Sequence, residues 1–423
     1  MRVLHVIPRW IGGGPERHLV ELARQDALHH REVHHRVLVL DRPLSAPLLV
    51  GARRFGMTLV NEPWVDAVDR EIEKADLVEI TYWNHPLMSQ LLRRSLPECR
   101  IVFRVAVAGH SLPQILSPEL TNYSDAWVLS APHGFGATHL ENRHALVAHI
   151  PALADMSRLD NYQCRDHDGM RASYLGALTQ AKLHTGLPNI VAHADSSIRF
   201  DLFGDADSQT LNHLSEQLQA HGVANRVNVR GHVEDIAEAL SETDIFVFSL
   251  NPYSYAASEK SLQEAMWIGL PPVMLTDTAA EGWIEHGTNG YLASDEASFA
   301  DFVNLLASNS ALRKRIGLTA RTYAREHFDP QKNASRLHDI YRSVMCLPKR
   351  VREPLFVEAI TGSQILLRIL GLTRNDLQRH LEHAAETAGT LQSHLLRSEG
   401  GVLHYLKHYP DDAELRELAA TLS

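Results

Sequence analysis

A chain of 423 residues is long enough for two or three domains, and 44% hydrophobic against 22% charged residues excludes collagen-like, low-complexity and wholly disordered classes. Lys plus Arg 41 against Asp plus Glu 51 leaves a net charge of −10, so no global basic field draws in a polyanion and nucleic acid is not an expected partner. Three cysteines without Cys-x-x-Cys spacing indicate neither a disulfide framework nor a thiolate zinc site and fit a reducing, cytoplasmic setting. Residues 1–8 form a short apolar run closed by Pro8, with no basic leader or cleavage site, and read as a first strand. Further apolar runs at 37–40, 77–80, 101–105, 126–129 and 145–150 alternate with helical lengths, which predicts parallel strands covered on both faces. A polar stretch at 151–171 reads as a connection. The rhythm then restarts at 172–175, 198–203, 227–229, 244–248 and 272–275, with helical stretches such as 207–221 and 233–241 between them.

These elements predict an α/β chain of two tandem doubly wound domains, 1–150 and 172–328. A helical run from 297 to 345 breaks at Phe328-Asp329-Pro330, so 329–345 reads as a helix returning toward the first domain. Residues 346–423 show no strand signal; amphipathic stretches at 355–370, 377–396 and 412–422 predict a helical C-terminal extension. No apolar stretch approaches the roughly 20 residues of a spanning helix.

After the first strand, Gly12-Gly13-Gly14-Pro15 leads into a helix, with proline suited to its first turn. Glycines let backbone approach a ligand, and the free N–H groups of the helix suit an anionic or hydroxyl-rich one. The alternative is a turn that merely reverses the chain. A dinucleotide fingerprint fails, because Arg17 stands where a third small residue is required.

A second strand, loop and helix runs from 244 to 269. The helix starts near Ser258 or Ser261 and stops at Gly269, before Pro271-Pro272. Its N-terminus suits a phosphate, by up to about 1 kcal/mol at an exposed site. Two structural readings compete for Glu264: Ser261-Leu262-Gln263-Glu264 matches a capping box, and Lys260 with Glu264 has ion-pair spacing on one helical face.

Glu264-Ala265-Met266 with Gly269-Leu270-Pro271 resembles the Glu-Ala-Met-x-x-Gly-x-Pro signature of retaining GT-B glycosyltransferases, the GT4-like glycosyl transferases group 1. Gly13-Gly14-Pro15-Glu16-Arg17, the stretch from Tyr174 to Lys182, Gly231-His232-Val233 and Glu285 to Leu292 resemble further blocks of that family in the same order, over residues 1 to 345. The resemblance implies two Rossmann-like domains facing a cleft, and transfer of a sugar from a nucleotide-sugar to a hydroxyl of a carbohydrate, lipid-linked or protein acceptor with retention of configuration. No metal or other cofactor is expected, because a fixed cation and helix N–H groups suit the departing diphosphate.

Carried over by position, Lys182 meets the diphosphate and Glu264 the ribose hydroxyls. Gly231, His232 and Val233 lie near the base, while Gly13, Gly14, Ser258, Lys260, Ser261 and Leu262 complete the donor site. His110 faces the donor sugar, and His85 and Arg17 belong to the acceptor side. Two positions depart from the family pattern: Ala177 replaces an arginine and Ala256 replaces an acid, for which Glu259 compensates. These departures keep open a sugar-nucleotide-binding protein without activity, beside a nucleotide-sugar epimerase of the same architecture. Asp205-Ala206-Asp207 reads as a loop rather than a metal motif, and His29-His30 with His34-His35 as solvated residues. Lys349-Arg350-Val351-Arg352 ahead of an apolar helix suggests either contact with the inner membrane face or packing on the core or in a dimer.

Overall fold

The computed structural model describes residues 1–42, 44–61, 65–132, 146–383 and 388–422. The chain divides into two compact units. One comprises Met1–Leu153, Tyr255–Ser258 and Pro330–Ser423; the other comprises Ala154–Ser254 and Glu259–Asp329.

The first unit is built on seven parallel strands: β1 (Arg2–Ile7), β2 (His34–Val39), β3 (Thr58–Val60), β4 (Leu77–Tyr82), β6 (Ile101–Val105), β7 (Ala126–Leu129) and β8 (Val147–His149), in the order β3-β2-β1-β4-β6-β7-β8. Between β4 and β6 the chain also forms β5 (Leu96–Cys99). β4, β6 and β7 are buried at every residue, as expected of strands covered on both faces. Of the last strand expected at 145–150, residue 145 lies outside the described residues. Likewise, 384–387 of the expected stretch 377–396 lie outside them.

The second unit has six parallel strands: β9 (Met170–Leu175), β10 (Ile198–Phe203), β11 (Val227–Gly231), β12 (Ile245–Phe248), β13 (Pro272–Leu275) and β14 (Tyr291–Ala293), ordered β11-β10-β9-β12-β13-β14. The helices Glu296–Ser308, Ser310–His327 and Pro330–Met345 follow, with the break at Phe328-Asp329 where the proline requires it. No helix among the described residues is long and apolar enough to cross a membrane.

Two expectations are corrected in the first unit. Residues 346–423 do contain a strand, β15 (Arg350–Arg352), which pairs antiparallel with β5. Its basic cluster is committed to protein. Lys349 Nζ donates to Ala75 O, Arg350 to Asn122 O and Ser124 O, and buried Arg352 to Tyr123 O, Cys99 O and the Asp125 carboxylate. These groups reach carbonyls and Asp125 of the same unit, while the Arg350 side chain stays 50% exposed. The apolar helix that follows starts later than expected, at Gly362. Thr361 and Gln364 form a reciprocal capping box, and the helix turns Ile365, Leu366, Ile369 and Leu370 inward.

The second correction concerns His35, which is buried rather than solvated. His5 Nδ1 lies 3.0 Å from Glu79 Oε1, His5 Nε2 is 2.9 Å from His35 Nδ1, and His35 Nε2 is 2.9 Å from Asp26 Oδ2. The returning helix Pro330–Met345 supplies a donor at each end: His338 Nε2 at 2.7 Å from Asp26 Oδ1, and Tyr341 OH at 2.6 Å from Glu79 Oε2. Burial pushes the His35 imidazole down, and the Arg104 guanidinium adds a positive charge beside Glu79, one of the network's two buried carboxylates. Burial opposes their ionisation, but hydrogen bonds from His338 and His35 hold Asp26 below its usual value, and one from His5 does so for Glu79.

Candidate functional site

Open parallel sheets bind ligands beyond the carboxyl ends of their strands, where the strand order reverses. In the second unit the reversal lies between β9 and β12, so the loops after these two strands meet there. The loop after β9 carries Lys182, and the chain after β12 leads to Glu259 and the helix Lys260–Ile268. Lys182 Nζ is 2.8 Å from Glu259 Oε2, with the lysine side chain 26% and the glutamate side chain 1% exposed. Asn251, unremarked in the sequence, braces the lysine loop: its backbone N–H donates to Lys182 O and its Nδ2 to Gln180 O, each at 2.8 Å. The two loops after β9 and β10 are pressed together so closely that a Cβ on Gly204, at φ +144°, would lie 1.8 Å from Gly176 O.

The helix starts at Lys260, with Glu259 as its cap in the left-handed region at φ 33° and no side-chain capping bond. A capping box from Ser261 to Glu264 is thereby ruled out, since Ser261 is the second helical residue. The conformation is strained for a residue with a side chain, and Glu259 Oε1 is buried without a hydrogen-bond partner. The carboxylate is thus neutralised by one cation while one of its oxygens stays unsatisfied. The helix ends at Gly269, φ 90°, as its sequence predicts. Lys260 and Ser261 are half-buried, whereas Leu262 packs into the core of the unit.

Glu264 is buried, and Arg158 Nη1 stands 3.9 Å from its Oε1 while Nη2 donates to Glu234 O at 2.8 Å. Arg158 lies in the polar connection and carries no motif signal. Gly231 ends β11 at φ +73°, where the chain turns into His232 and Val233. His232 Nδ1 is 3.1 Å from Asp205 Oδ2, and Val233 packs partly on the core. Asp207 caps the helix Ser208–Ala220 by accepting from Thr210 N–H at 2.7 Å. Both acids of the Asp-x-Asp stretch thus have local partners.

In the first unit the strand order reverses between β1 and β4. Gly13 caps the helix Gly14–His29 without a side-chain bond, and Pro15 occupies its first turn. Glu16 folds back over the loop, accepting from Ile11 N–H at 3.1 Å, so closely that a Cβ on Gly13 would sit 2.8 Å from Glu16 Oε2. Arg17, assigned to the acceptor side, donates its Nε–H to Gly12 O at 3.1 Å within its own loop. His110 is exposed after β6, next to Gly109 at φ +83°.

Two residues are placed differently from expectation. Ser258, grouped with the donor residues, is buried in the first unit, where its hydroxyl donates to Ser130 O at 2.9 Å and accepts from Ala152 N–H at 2.7 Å. His85 is 1% exposed, with Nδ1 accepting from Leu87 N–H at 3.1 Å and its ring edge-on to His404 at 4.6 Å. Burial pushes its pKa down to about 2, so it stays neutral, covered by the C-terminal segment instead of facing solvent.

Among the described residues, two groups bring ligand atoms within 4.8 Å of one another: Asp26, His30 and His338, and His85, Glu399 and His404. Part of each group already has hydrogen-bond partners. Both Asp26 oxygens accept from histidines. The Nδ1 atoms of His85 and His404 accept backbone N–H groups, which puts a hydrogen rather than a lone pair on each Nε2.

Residues 173–309 match the family model for glycosyl transferases group 1. Spore coat protein SA of Bacillus subtilis is 29% identical over 183 residues, 40% of this chain; the match spans 47%, about half, of that protein's length. Among solved structures, Anabaena HepE in complex with UDP aligns over 81% of this chain and 100% of its own, with TM-score 0.66 and 16% identity. Sucrose-phosphate synthase of Thermosynechococcus elongatus covers 82% and 99%, with TM-score 0.63 and 14% identity. The chain has the α/β fold of GT-B glycosyltransferases, two parallel sheets flanked by helices with a C-terminal helical region, and the segment matched to glycosyl transferases group 1 is the one that carries Lys182, Glu259 and Glu264.

Proposed function

We propose that this chain transfers a sugar from a nucleotide-sugar donor to an acceptor hydroxyl, with retention of configuration and without a metal. The observation that carries the reading is the ion pair of Lys182 and Glu259 beside the N-terminus of the helix Lys260–Ile268, at the strand-order reversal of the second unit. An ammonium has three donors, so Lys182 can keep Glu259 and still bind a phosphate oxygen. The charge that develops on the departing diphosphate then meets a fixed cation and helix N–H groups. Glu264 accepts from two ribose hydroxyls. The unsatisfied Oε1 of Glu259 takes a donor-sugar hydroxyl, compensating for Ala256. A sugar delivered to the face that the nucleotide leaves requires no covalent nucleophile, and the departing phosphate can accept the acceptor's proton. HepE has been solved with UDP-glucose, which favours a uridine donor here.

The test is a panel of nucleotide-sugars, read first as donor-dependent thermal shift and then as nucleotide release with and without acceptor. The expected result is a shift with one donor, nucleotide release that rises with acceptor, and loss of the shift in Lys182→Ala. Binding without release identifies a sugar-nucleotide-binding protein, and a glycal or epimer formed without acceptor identifies an epimerase; either result ends the reading.

A further inference from the structure

At the strand-order reversal of the first sheet, the loops after β1 and β4 are met by residues 399–408 from the far end of the chain. Glu399 Oε2 is 2.6 Å from Arg9 Nη2, and its Oε1 accepts from Trp83 Nε1–H at 3.1 Å. The Arg9 guanidinium carbon stands 6.0 Å from the centroid of the Trp83 ring. His85 Nε2 is 3.9 Å from Glu399 Oε1, and His404 packs on the His85 ring. The glutamate is held from behind by neutral bonds. Gln114 Nε2 donates to Glu399 O at 2.7 Å, Asn84 Nδ2 to Gly400 O at 3.1 Å, and Tyr405 OH to Asn84 Oδ1 at 2.7 Å. Gly400, at φ +79°, leaves no room for a Cβ, which would lie 2.5 Å from Asn84 O. Such bracing fixes a side chain in the manner a recognition site needs.

A glutamine would satisfy Arg9 and Trp83 without placing a charge in this partly dry setting, so fastening the segment does not explain the acid. The pair remains reachable, with the Arg9 side chain 34% and the Glu399 side chain 15% exposed. Each Glu399 oxygen has a lone pair to spare, and the guanidinium has donors beyond the one that meets Glu399. The surrounding histidines add no charge, since burial, above all, pushes His85 down to about 2 and His404 down to about 4. A paired cation and anion offering donors and acceptors side by side leaves neither a free anion nor a free cation an uncompensated partner. Its complement is a group that both donates and accepts, a hydroxyl, and adjacent hydroxyls fit an arginine–carboxylate pair best.

We propose that Arg9 and Glu399 form the hydroxyl-binding end of a carbohydrate acceptor subsite, with Glu399 delivered by the C-terminal extension. The assignment of acceptor, as distinct from any other glycan, rests on the transferase reading above. Binding to the subsite does not, and it is tested directly with methyl glycosides of glucose, galactose and N-acetylglucosamine, followed by saturation-transfer NMR on the full chain. Wild-type protein and Lys182→Ala should bind the same glycoside equally, whereas Glu399→Gln should bind it about tenfold more weakly, the effect of losing one good hydrogen bond to a charged group. Thermal midpoint and the nucleotide-induced shift should be unchanged in Glu399→Gln, which separates recognition from a structural loss; Arg9→Lys gives a second variant should that protein fold poorly. Binding of no glycoside by the wild type, or equal binding by Glu399→Gln, overturns the proposal. Loss of nucleotide binding in the wild type would overturn the transferase reading while leaving glycoside binding intact.

Discussion

Each unit has a helix N-terminus at its strand-order reversal that lacks a side-chain capping bond, yet the two ends are filled differently. After β1 the chain supplies its own anion: Glu16 curls over Gly13 and accepts from Ile11 N–H, placing a carboxylate where the helix dipole favours one. After β12 the carboxylate of Glu259 is turned to Lys182 instead, and the lysine keeps donors to spare. A helix end that satisfies itself has little need of a phosphate, whereas one flanked by a partly exposed cation retains that need. Glycine content alone would have ranked the two ends the other way.

Lys182→Ala should break the comparison most severely. It should lower turnover by about 100-fold or more, and by leaving Glu259 buried without a countercharge it should cost roughly 3 kcal/mol of stability. Adding Glu259→Gln should restore the thermal midpoint but not turnover; recovery of both would show that the lysine only balances the glutamate. Gly13→Ala should displace Glu16 and destabilise by about 1–3 kcal/mol. Gly14→Ala, with open space at its Cβ, should stay within about 0.5 kcal/mol. Equal denaturation midpoints for these two variants would mean that Glu16 does not fill the first helix end.

A smaller effect should mark the buried relay of the first unit. Asp26 and Glu79 sit below their ordinary values of 3.8 and 4.5, so on acidification the unfolded chain takes up protons first. Their contribution is complete above that range and drains away as pH falls through the lowered folded values. Urea midpoints between pH 6 and 3 should therefore fall. They should fall less steeply in His338→Gln, which removes an imidazole that holds Asp26 down; an unchanged slope would separate Asp26 from the acid response.

The strands were legible because doubly covered parallel strands are near-continuous apolar runs, and β1, β4, β6, β7, β9 and β12 lie where such runs occur. β15 was not, because three residues reading Arg-Val-Arg look like a solvated basic cluster until Asp125 and the carbonyls beside it are known. His35 was misread for the same reason, since its partners His5 and Asp26 lie 30 and 9 positions away. In the second unit the resemblance placed Lys182 and Glu264 within one segment, and Glu259 was read beside them as compensating for Ala256. What it did not contain was the local strain that makes Glu259 the helix cap, or Arg158 from the connection beside Glu264. Arg9 and Glu399 were invisible, being residues without a motif, separated by most of the chain.

The buried histidine relay bears on where this protein can be cut. Asp26 and Glu79 each receive one proton donor from the segment that follows Pro330, so a piece ending at Leu153 would keep two interior acids but lose His338 and Tyr341. Its sheet would be complete in sequence and incomplete in chemistry. Expression of that piece alone should yield a collapsed, dye-binding species, with the ordered state returning only when residues 330–423 are supplied in trans.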